Sequence, residues 1–298
     1  MHRFTFSRGR FTAGIGKEVG GLPRRRKRSQ YVPRAANTAS AASTAALLLL
    51  AGLALALTGL ALSAGSTRSA GSTRSAGGTR STPAAAAAPV AEGEKLVALT
   101  FDDGPSGANT PKLLEGLQQR GVHATFFLVG SMVENQPELA VRLVQEGHQV
   151  GIHTYNHDPS GGLRGLSEEQ FDAQVGVTQR MLTALTGQTE FALRPPYGFL
   201  DEGVRRQAPG PIILWSVDPE DWKYRNTEKV TAHILSHVQD GDIVLLHDIF
   251  PTSVEAALQV VDTLQAQGWR FVTVDELFAL RGVELMRGES YHNARPEG

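Results

Sequence analysis

The chain has 298 residues, 41% of them apolar and none of them cysteine, which excludes disulfides, thiolate metal sites and a cysteine nucleophile. Its formal net charge of −1 hides two unlike parts. Residues 1–34 carry ten Lys or Arg against one acid, whereas residues 81–298 carry 16 Lys or Arg against 29 Asp or Glu. Because nucleic acids are bound by clustered basic side chains, the acidic part argues against a nucleic-acid partner.

The N-terminal part has the composition of a membrane-targeting segment. A basic run, RRRKR at Arg24–Arg28, precedes an uncharged apolar stretch, Ala45–Ser63, of 19 residues. A helix needs about 20 residues to span a bilayer. We therefore predict a basic cytoplasmic segment over residues 1–40 and a transmembrane signal anchor over residues 41–63. A signal peptide cleaved near Ala61 is the alternative, and either interpretation places the rest of the chain outside the cell membrane, anchored to it or secreted.

A low-complexity linker is predicted over residues 64–92. It contains the repeat AGSTRSAGSTRSAGGTRS and then TPAAAAAPVAEG, with almost no large apolar residue. Such a segment cannot bury a core and is interpreted as a flexible tether. The folded domain is therefore expected over residues 93–283, followed by a C-terminal tail over residues 284–298.

Short apolar runs alternate with helical stretches through this domain. The predicted strands are residues 95–101, 124–129, 149–153, 190–194, 212–217, 242–247 and 270–274. The predicted helices lie near residues 110–120, 136–146, 167–186, 227–239 and 252–267. Capping boxes of Ser167 with Gln170 and of Thr252 with Glu255 are expected to start two of them. Apolar strands that alternate with helices indicate an α/β fold with a parallel sheet, either a closed β/α barrel or a doubly wound sheet.

Polar clusters follow five of the predicted strands. They read TFDDGP, GIHTYNH, LRPPYG, SVDPEDW and LLHDI. Because the carboxyl ends of parallel strands lie at one rim of such a fold, residues from Asp102 to His247 are expected to converge there. This convergence favours the barrel and indicates a functional site.

Each cluster also has a structural interpretation when it is taken singly. DDGP is a common turn sequence, and two histidines four residues apart are common on protein surfaces. His233 and His237 have the same spacing as His153 and His157, but they lie beside the apolar stripe of a predicted helix and no strand end brings a carboxylate to them. We interpret them as solvated. The same interpretation is given to His123, His148 and His292.

The residue types at the predicted rim suit metal-assisted hydrolysis. Asp103, His153 and His157 form a two-histidine, one-carboxylate set of the kind that holds zinc and leaves positions open for water and substrate. Asp102, the second carboxylate, can stay off the metal as a general base, because a bound metal lowers the pKa of water from 15.7 toward about 7. An opposing histidine would supply a proton to the leaving group. This arrangement suits cleavage of an amide or an ester.

The motifs TFDDGP, HTYNH, RPPYG, DPEDW and LLH, in this order, resemble those of the polysaccharide deacetylases, the NodB-homology family of carbohydrate esterases. The resemblance runs from about Leu96 to Leu280. It implies a distorted (β/α) barrel with about seven parallel strands. It also implies a divalent metal, most often Zn²⁺, with Co²⁺ or Mn²⁺ as alternatives.

The resemblance implies a role for each matching residue. Asp102 looks like the catalytic base, paired with Arg194, and His247 looks like the general acid, oriented by Asp221. The metal ligands would be Asp103, His153 and His157. The backbone N–H of Tyr197 would donate to the oxyanion. Trp222 and Leu245 would line the pocket for the acetyl methyl group. Asp218 lies in a motif but receives no role.

The resemblance implies removal of acetyl groups from an N-acetylated glycan. The export segment favours cell-envelope glycans, with peptidoglycan amino sugars as the first expectation. The alternatives are chitin oligomers, O-acetyl xylan, a small amide and a non-catalytic glycan-binding role. Substrate choice is expected to lie in loops such as residues 158–165 and 223–227, and the sequence leaves the oligomeric state open.

Overall fold

The structure is a computed structural model that describes residues 89–296. The predicted basic segment, the membrane anchor or signal peptide, and all but the last four residues of the predicted linker lie outside the described residues. Within residues 89–296 no helix is both long and apolar enough to cross a membrane.

Parallel strands form the centre of the domain. The strands are β1 (Lys95–Asp102), β2 (Thr125–Leu128), β3 (Gln149–Ile152), β4 (Ile212–Ile213), β5 (Asp242–His247), β6 (Trp269–Phe271) and β7 (Ser290–Tyr291). The main sheet has the order β3-β2-β1-β5, and β6 pairs with the first residues of β1. β4 pairs with β7 in a separate two-stranded sheet. All these pairings are parallel, which confirms the predicted α/β class.

Single backbone bridges carry the pairing beyond these strands. Leu193 pairs in parallel with Ile152 of β3 and with Ile212 of β4. Val217, which follows β4, pairs in parallel with Val244 of β5. Backbone pairing therefore runs from β5 through β1, β2 and β3 to the β4 segment and back to β5.

Two of the predicted strands are reduced to one or two paired residues, and the strand predicted over residues 270–274 ends at Phe271. Residues 190–194 contribute only the bridge at Leu193, and residues 212–217 contribute the two residues of β4 and a bridge. Prolines at positions 195, 196, 211 and 219 flank these segments. Because proline has no N–H to donate, a regular ladder cannot extend through those positions.

Helices follow most of the strands. They are α1 (Thr110–Gln119), α2 (Gly130–Asn135), α3 (Pro137–Gln145), α4 (Glu168–Phe171), α5 (Val177–Thr186), α6 (Glu202–Gln207), α7 (Asp221–Tyr224), α8 (Thr227–His237), α9 (Pro251–Ala266) and α10 (Val274–Leu280). A π-helical turn, Asp172–Gly176, joins α4 to α5. The predicted helices are all present, with α2, α6, α7 and α10 in addition.

The capping predictions have different outcomes. Ser167 and Gln170 form the predicted capping box at the start of α4. The second prediction was wrong, because α9 begins at Pro251 and Glu255 instead accepts a hydrogen bond from the Thr227 hydroxyl at 3.0 Å. A capping box not predicted from the sequence, Thr273 with Glu276, starts α10 and ends the extended segment after β6.

The strands are apolar because both faces are covered. β1 is buried from its second residue to its last, and the rings of Phe101 and Phe126 stack at a centroid distance of 5.1 Å between the sheet and the helices. The carboxyl ends of β1, β3 and β5 open at one side of this core. The polar side chains described next lie there.

Candidate active site

Two adjacent carboxylates end β1 and point to different partners. Asp102 is the last residue of the strand and lies level with His247, the last residue of β5, in the parallel register. Asp103 has a left-handed backbone with φ of 69°. Because this conformation departs from the extended one, the two side chains do not follow the simple alternation of a strand.

Three residues from two strand ends bring candidate metal ligands together. His153 directly follows β3, and His157 lies at the end of a turn in which Thr154 and His157 both have positive φ. Asp103 Oδ1 lies 3.5 Å from Nε2 of His153 and 3.5 Å from Nε2 of His157. One ligand atom from each of the three residues lies within 4.8 Å of the others.

The chemistry of these atoms fits a divalent cation. Oδ1 of Asp103 is buried and has no hydrogen-bond partner among residues 89–296, which is costly for a carboxylate unless a cation binds it. Nδ1 of His153 lies 2.6 Å from the Arg194 carbonyl oxygen, which can only accept, so Nδ1 carries the proton and Nε2 is free to ligate. Burial lowers the pKa of His153 to about 3, so its imidazole is neutral.

Asp102 is held by a buried guanidinium. Arg194, which is fully buried, donates from Nη1 to Oδ1 of Asp102 at 2.8 Å and to the Thr100 hydroxyl at 2.7 Å. Its other donors bind the backbone carbonyls of Ile213 and Leu214. Burial raises the pKa of Asp102, and the charges of Arg194 and of His247 oppose this rise. A cation beside Asp103 would lower the pKa of Asp102 and favour its carboxylate form.

His247 faces this pair from β5 and is bound by a buried carboxylate. Its Nδ1 lies 2.8 Å from Oδ1 of Asp221, and its backbone N–H donates to Oδ2 of Asp221. Oδ2 also accepts from the Ser253 hydroxyl at 2.6 Å. Burial alone would lower the pKa of His247, but the Asp221 hydrogen bond and charge, with Asp102 and Asp103, outweigh burial and raise the pKa to about 9. His247 is therefore an imidazolium that can donate a proton from Nε2.

A cavity of about 390 Å³ joins these groups. Its lining residues are Asp102, Asp103, His153, His157, Tyr197, Trp215, Asp218, Trp222, Leu245 and His247. The structure thus brings together every predicted site residue: eight line the cavity, and Arg194 and Asp221 lie directly behind Asp102 and His247. Tyr197 and Trp222 are about half exposed at its mouth. Leu245, Trp215 and Trp222 give the cavity an apolar wall.

Sequence reasoning missed three residues of this region. Trp215 lines the cavity, and its only signal was an aromatic residue late in a predicted strand. Ser253 supports Asp221 from 32 residues away. Asp248 is fully buried and bonds to the Thr110 hydroxyl, and burial raises its pKa to about 7. The last two depend on long-range contacts that no local pattern signals.

The other histidines are placed as follows. His233 and His237 stack at a centroid distance of 4.2 Å on α8, and neither lines the cavity. His123 and His292 are exposed, as predicted. The prediction for His148 was wrong: it is buried, its Nδ1 accepts from the Ala124 N–H at 3.1 Å, and burial lowers its pKa to about 4.

Known proteins share this arrangement of sequence and fold. The family model described as polysaccharide deacetylase matches residues 90–209. The peptidoglycan-N-acetylglucosamine deacetylase PgdA of Listeria monocytogenes is 43% identical over 201 residues, which are 67% of this chain and 42% of that protein. The chain thus spans less than half the length of this relative.

Two solved structures are matched over nearly their whole length. The peptidoglycan deacetylase PdaC of Bacillus subtilis is 38% identical with a TM-score of 0.62, over 65% of this chain and 94% of that one. A family 4 acetyl xylan esterase of Clostridium thermocellum, in complex with a cobalt ion, is 31% identical with a TM-score of 0.63, over 67% of this chain and 98% of that one. With such identity across nearly the whole of both structures, the chain belongs to the polysaccharide deacetylase family.

Proposed function

We propose that residues 93–283 form a metal-dependent deacetylase that removes acetyl groups from N-acetylated cell-envelope glycans and releases acetate. The observation that carries the proposal is the meeting of Asp102, the Asp103–His153–His157 set and His247 in one cavity. We also infer that the parallel strands form the distorted barrel expected from the motifs. The bridges at Leu193 and Val217 support this inference.

Asp103, His153 and His157 would hold the metal, for which we propose Zn²⁺. Two neutral imidazoles and one carboxylate are a usual zinc set, although the cobalt ion in the C. thermocellum relative supports other divalent ions as well. When bound, the ion supplies Lewis acidity and makes water more acidic.

Asp102 would take the proton from the attacking water. Its Oδ1 already accepts from Arg194, and its Oδ2 lies 3.6 Å from Nε2 of His153, toward the candidate metal ligands. Oδ2 is therefore the oxygen available for the proton. Arg194 orients Asp102 and, because it is fully buried, stabilises the ionised carboxylate in the absence of solvent.

His247 would protonate the leaving amine. Its Nδ1 is held by Asp221, so Nε2 remains to face the cavity, and the raised pKa keeps it charged near neutral pH. The backbone N–H of Tyr197 would donate to the substrate carbonyl oxygen. Trp222 and Leu245, which line the cavity, would contact the acetyl methyl group. No role is assigned to Asp218.

Peptidoglycan amino sugars are the proposed substrate. The L. monocytogenes and B. subtilis relatives are peptidoglycan deacetylases by name, and the apolar stretch at residues 41–63 supports an enzyme held at the outer side of the cell membrane. Fusion of a reporter active only outside the cytoplasm to the C-terminus would test this location. A reporter signal that persists after residues 1–63 are deleted would contradict it.

The activity is tested by acetate release from peptidoglycan, chitin oligomers and acetyl xylan, with the metal-loaded and the chelated protein. We expect release from peptidoglycan by the metal-loaded protein only. The acetyl xylan esterase among the relatives makes O-deacetylation the second candidate, and faster release from acetyl xylan would favour it. No release from any of the three glycans would overturn the proposal.

A further inference from the structure

Two loops at the mouth of the cavity each carry an arginine stacked on an aromatic ring. In the loop of residues 158–165, the Arg164 guanidinium carbon lies 4.0 Å from the ring centroid of Phe199. The predicted loop of residues 223–227 was too long, because Lys223 and Tyr224 belong to α7 and Thr227 begins α8. In the short connection between these helices, the guanidinium carbon of Arg225 lies 4.3 Å from the ring centroid of Phe250. Both arginines are exposed. A guanidinium stacked in this way keeps its N–H groups directed outward in its own plane, free to bind a ligand.

Ring contacts connect each arginine to a different side of the site. Phe199 lies 5.4 Å from Tyr197, and Tyr197 lies 4.9 Å from the candidate metal ligand His157, measured between ring centroids. On the other side, Phe250 lies 6.2 Å from His247. Arg164 therefore flanks the metal side of the cavity, and Arg225 flanks the general-acid side.

A hydrogen bond to the backbone of a cavity residue holds Arg225 beside the cavity. At 3.3 Å, the Nε of Arg225 donates to the carbonyl oxygen of Trp222, whose side chain lines the cavity.

Within the described part of the chain, Arg164 and Arg225 make no ion pair. Lys223, two residues before Arg225, is paired with Glu220. Two arginines without such a partner among the described residues therefore lie at one cavity mouth.

The charge of the cavity is distributed unevenly. Asp102, Asp103 and Asp218 lie in its lining, whereas the two arginines lie at its mouth. A neutral acetamido group suits this lining. A carboxylate on a neighbouring part of the same ligand would be attracted to the arginines at the mouth.

We propose that Arg164 and Arg225 bind carboxylates of an anionic glycan on either side of the sugar that is deacetylated. The inference rests on the proposed deacetylase function and narrows its substrate class to glycans that carry carboxylates on neighbouring sugars or their substituents. Guanidinium groups bind carboxylates with two parallel hydrogen bonds, which suits them to this selection. Neutral glycans such as chitin oligomers would lack these contacts.

The test compares one glycan in two forms, a soluble peptidoglycan fragment with free carboxylates and the same fragment with its carboxylates amidated. For each form, kcat/KM for acetate release is measured for the wild type, Arg164→Gln, Arg225→Gln and the double variant. We expect the wild type to prefer the carboxylate form about tenfold or more and each single variant to lose most of this preference through KM, as for a hydrogen bond to a charged group. The preference should also fall as salt is added.

Arg206→Gln is the matched control. Arg206 is exposed on α6, makes no ion pair and lies outside the cavity lining, so the variant removes the same charge elsewhere and should keep the wild-type preference. Equal kcat/KM for the two forms in the wild type would overturn the inference, and so would an unchanged preference in the double variant.

A binding measurement separates this inference from the deacetylase proposal. The Asp102→Asn protein, which is not expected to turn over, is titrated with both forms by calorimetry. Selective binding of the carboxylate form, without acetate release by the wild type, would support the arginine site and overturn the deacetylase. Acetate release with no selectivity in binding or turnover would retain the deacetylase and overturn the arginine site.

Discussion

Asp102 and Asp103 show how neighbours in sequence acquire different chemistry. Asp102 accepts from a buried guanidinium, whereas the buried oxygen of Asp103 has no partner and faces two histidines. The left-handed backbone at Asp103 permits this divergence. One carboxylate is therefore suited to accept a proton and the other to bind a cation.

Replacing Asp102 by Asn tests this division. Asparagine keeps an oxygen for Arg194 but cannot take a proton, so acetate release should fall about 10²- to 10⁴-fold. Metal content, measured by elemental analysis, should remain at the wild-type level because Asp102 is not a proposed ligand. Asp262→Asn, which alters only the exposed pair with Arg120, is the control and should keep wild-type activity. Activity of Asp102→Asn within a few-fold of the wild type would contradict the proposed base.

Asp221→Asn tests the proton held by His247. Activity needs the protonated imidazole of His247, so kcat/KM of the wild type should fall as the pH rises through the pKa of His247 at about 9. A bound cation would lower this pKa and move the fall in activity to a lower pH. In the variant the hydrogen bond and charge that raise the pKa are weakened while burial remains, so the basic limb should move to lower pH. The pH–rate profile and an NMR titration of His247 measure this shift. Identical basic limbs in the two proteins would exclude Asp221 as the cause.

Arg194 acts at the scale of elements, because one side chain joins three strand segments. Its side chain binds Asp102 and Thr100 of β1 and the carbonyls of Ile213 and Leu214 at β4, and its backbone N–H donates to the Ile152 carbonyl of β3. The irregular segments around Leu193 and β4 lack regular ladders. The buried guanidinium supplies part of the hydrogen bonding that a ladder would provide there.

Arg194→Met should lower the free energy of unfolding by about 3–5 kcal/mol, because it leaves the Asp102 charge buried without its partner. Urea unfolding measures the change. Adding Asp102→Asn to this variant should recover part of the loss. Arg180→Met, which breaks an exposed pair with Asp172, should cost less than about 1 kcal/mol. A comparable loss in the Arg194 and Arg180 variants would contradict the role given to burial.

Asp248 links the segments that follow β1 and β5. It accepts from the Thr110 hydroxyl, and that hydroxyl oxygen accepts in turn from the Ser106 N–H at 2.7 Å. The other Asp248 oxygen is buried without a partner beneath Gly104, where a Cβ atom would collide with it. The loop that begins with Asp103 is thereby fastened next to His247.

The raised pKa of Asp248 predicts a pH-dependent loss of stability. The pKa of Asp248 is about 7 in the folded protein and ordinarily 3.8, so the folded state binds this proton more tightly than the unfolded state does. The resulting stabilisation of the folded state is complete below about pH 3.8 and is lost as the pH rises through 7. The loss is on the order of 4 kcal/mol at most. Asp248→Asn should remove it. Urea unfolding of the chelated proteins from pH 4.5 to 8.5 measures the difference in slope, and parallel curves would contradict the prediction.

Local patterns predicted the regular strands well, and the residues proposed for the site lie together because they follow the strand ends directly. The same patterns overextended the strand before Pro195, where missing N–H donors stop the ladder. They misplaced the Thr252 cap because Glu255 pairs with Thr227, and they missed Asp248 and Ser253, whose partners are distant in sequence. Contacts made only after folding account for these differences.

For the molecule as a whole, metal binding should contribute to stability. An ion at 100 times its Kd stabilises the folded state by about 2.7 kcal/mol, which corresponds to roughly 5–10 °C in Tm for a domain of this size. We therefore expect the chelated protein to melt at a lower temperature and added Zn²⁺ to restore the Tm, measured by calorimetry.

The second histidine pair provides the control for this prediction. His157→Gln should abolish most of the metal-dependent shift in Tm. His233→Gln should preserve it, because His233 and His237 have the same spacing but belong to no three-ligand cluster within residues 89–296. A shift retained by His157→Gln or lost in His233→Gln would show that the ion binds elsewhere.

The tryptophans of the cavity make the intrinsic fluorescence of the protein sensitive to a bound sugar. Of the three tryptophans in the chain, Trp215 and Trp222 line the cavity, and Trp269 is buried in β6 beneath the ammonium group of Lys95. Two of the three indoles therefore change their surroundings when a sugar enters, while the third provides a constant background. Intrinsic fluorescence can thus follow glycan entry in the unlabelled enzyme, in real time and apart from acetate release.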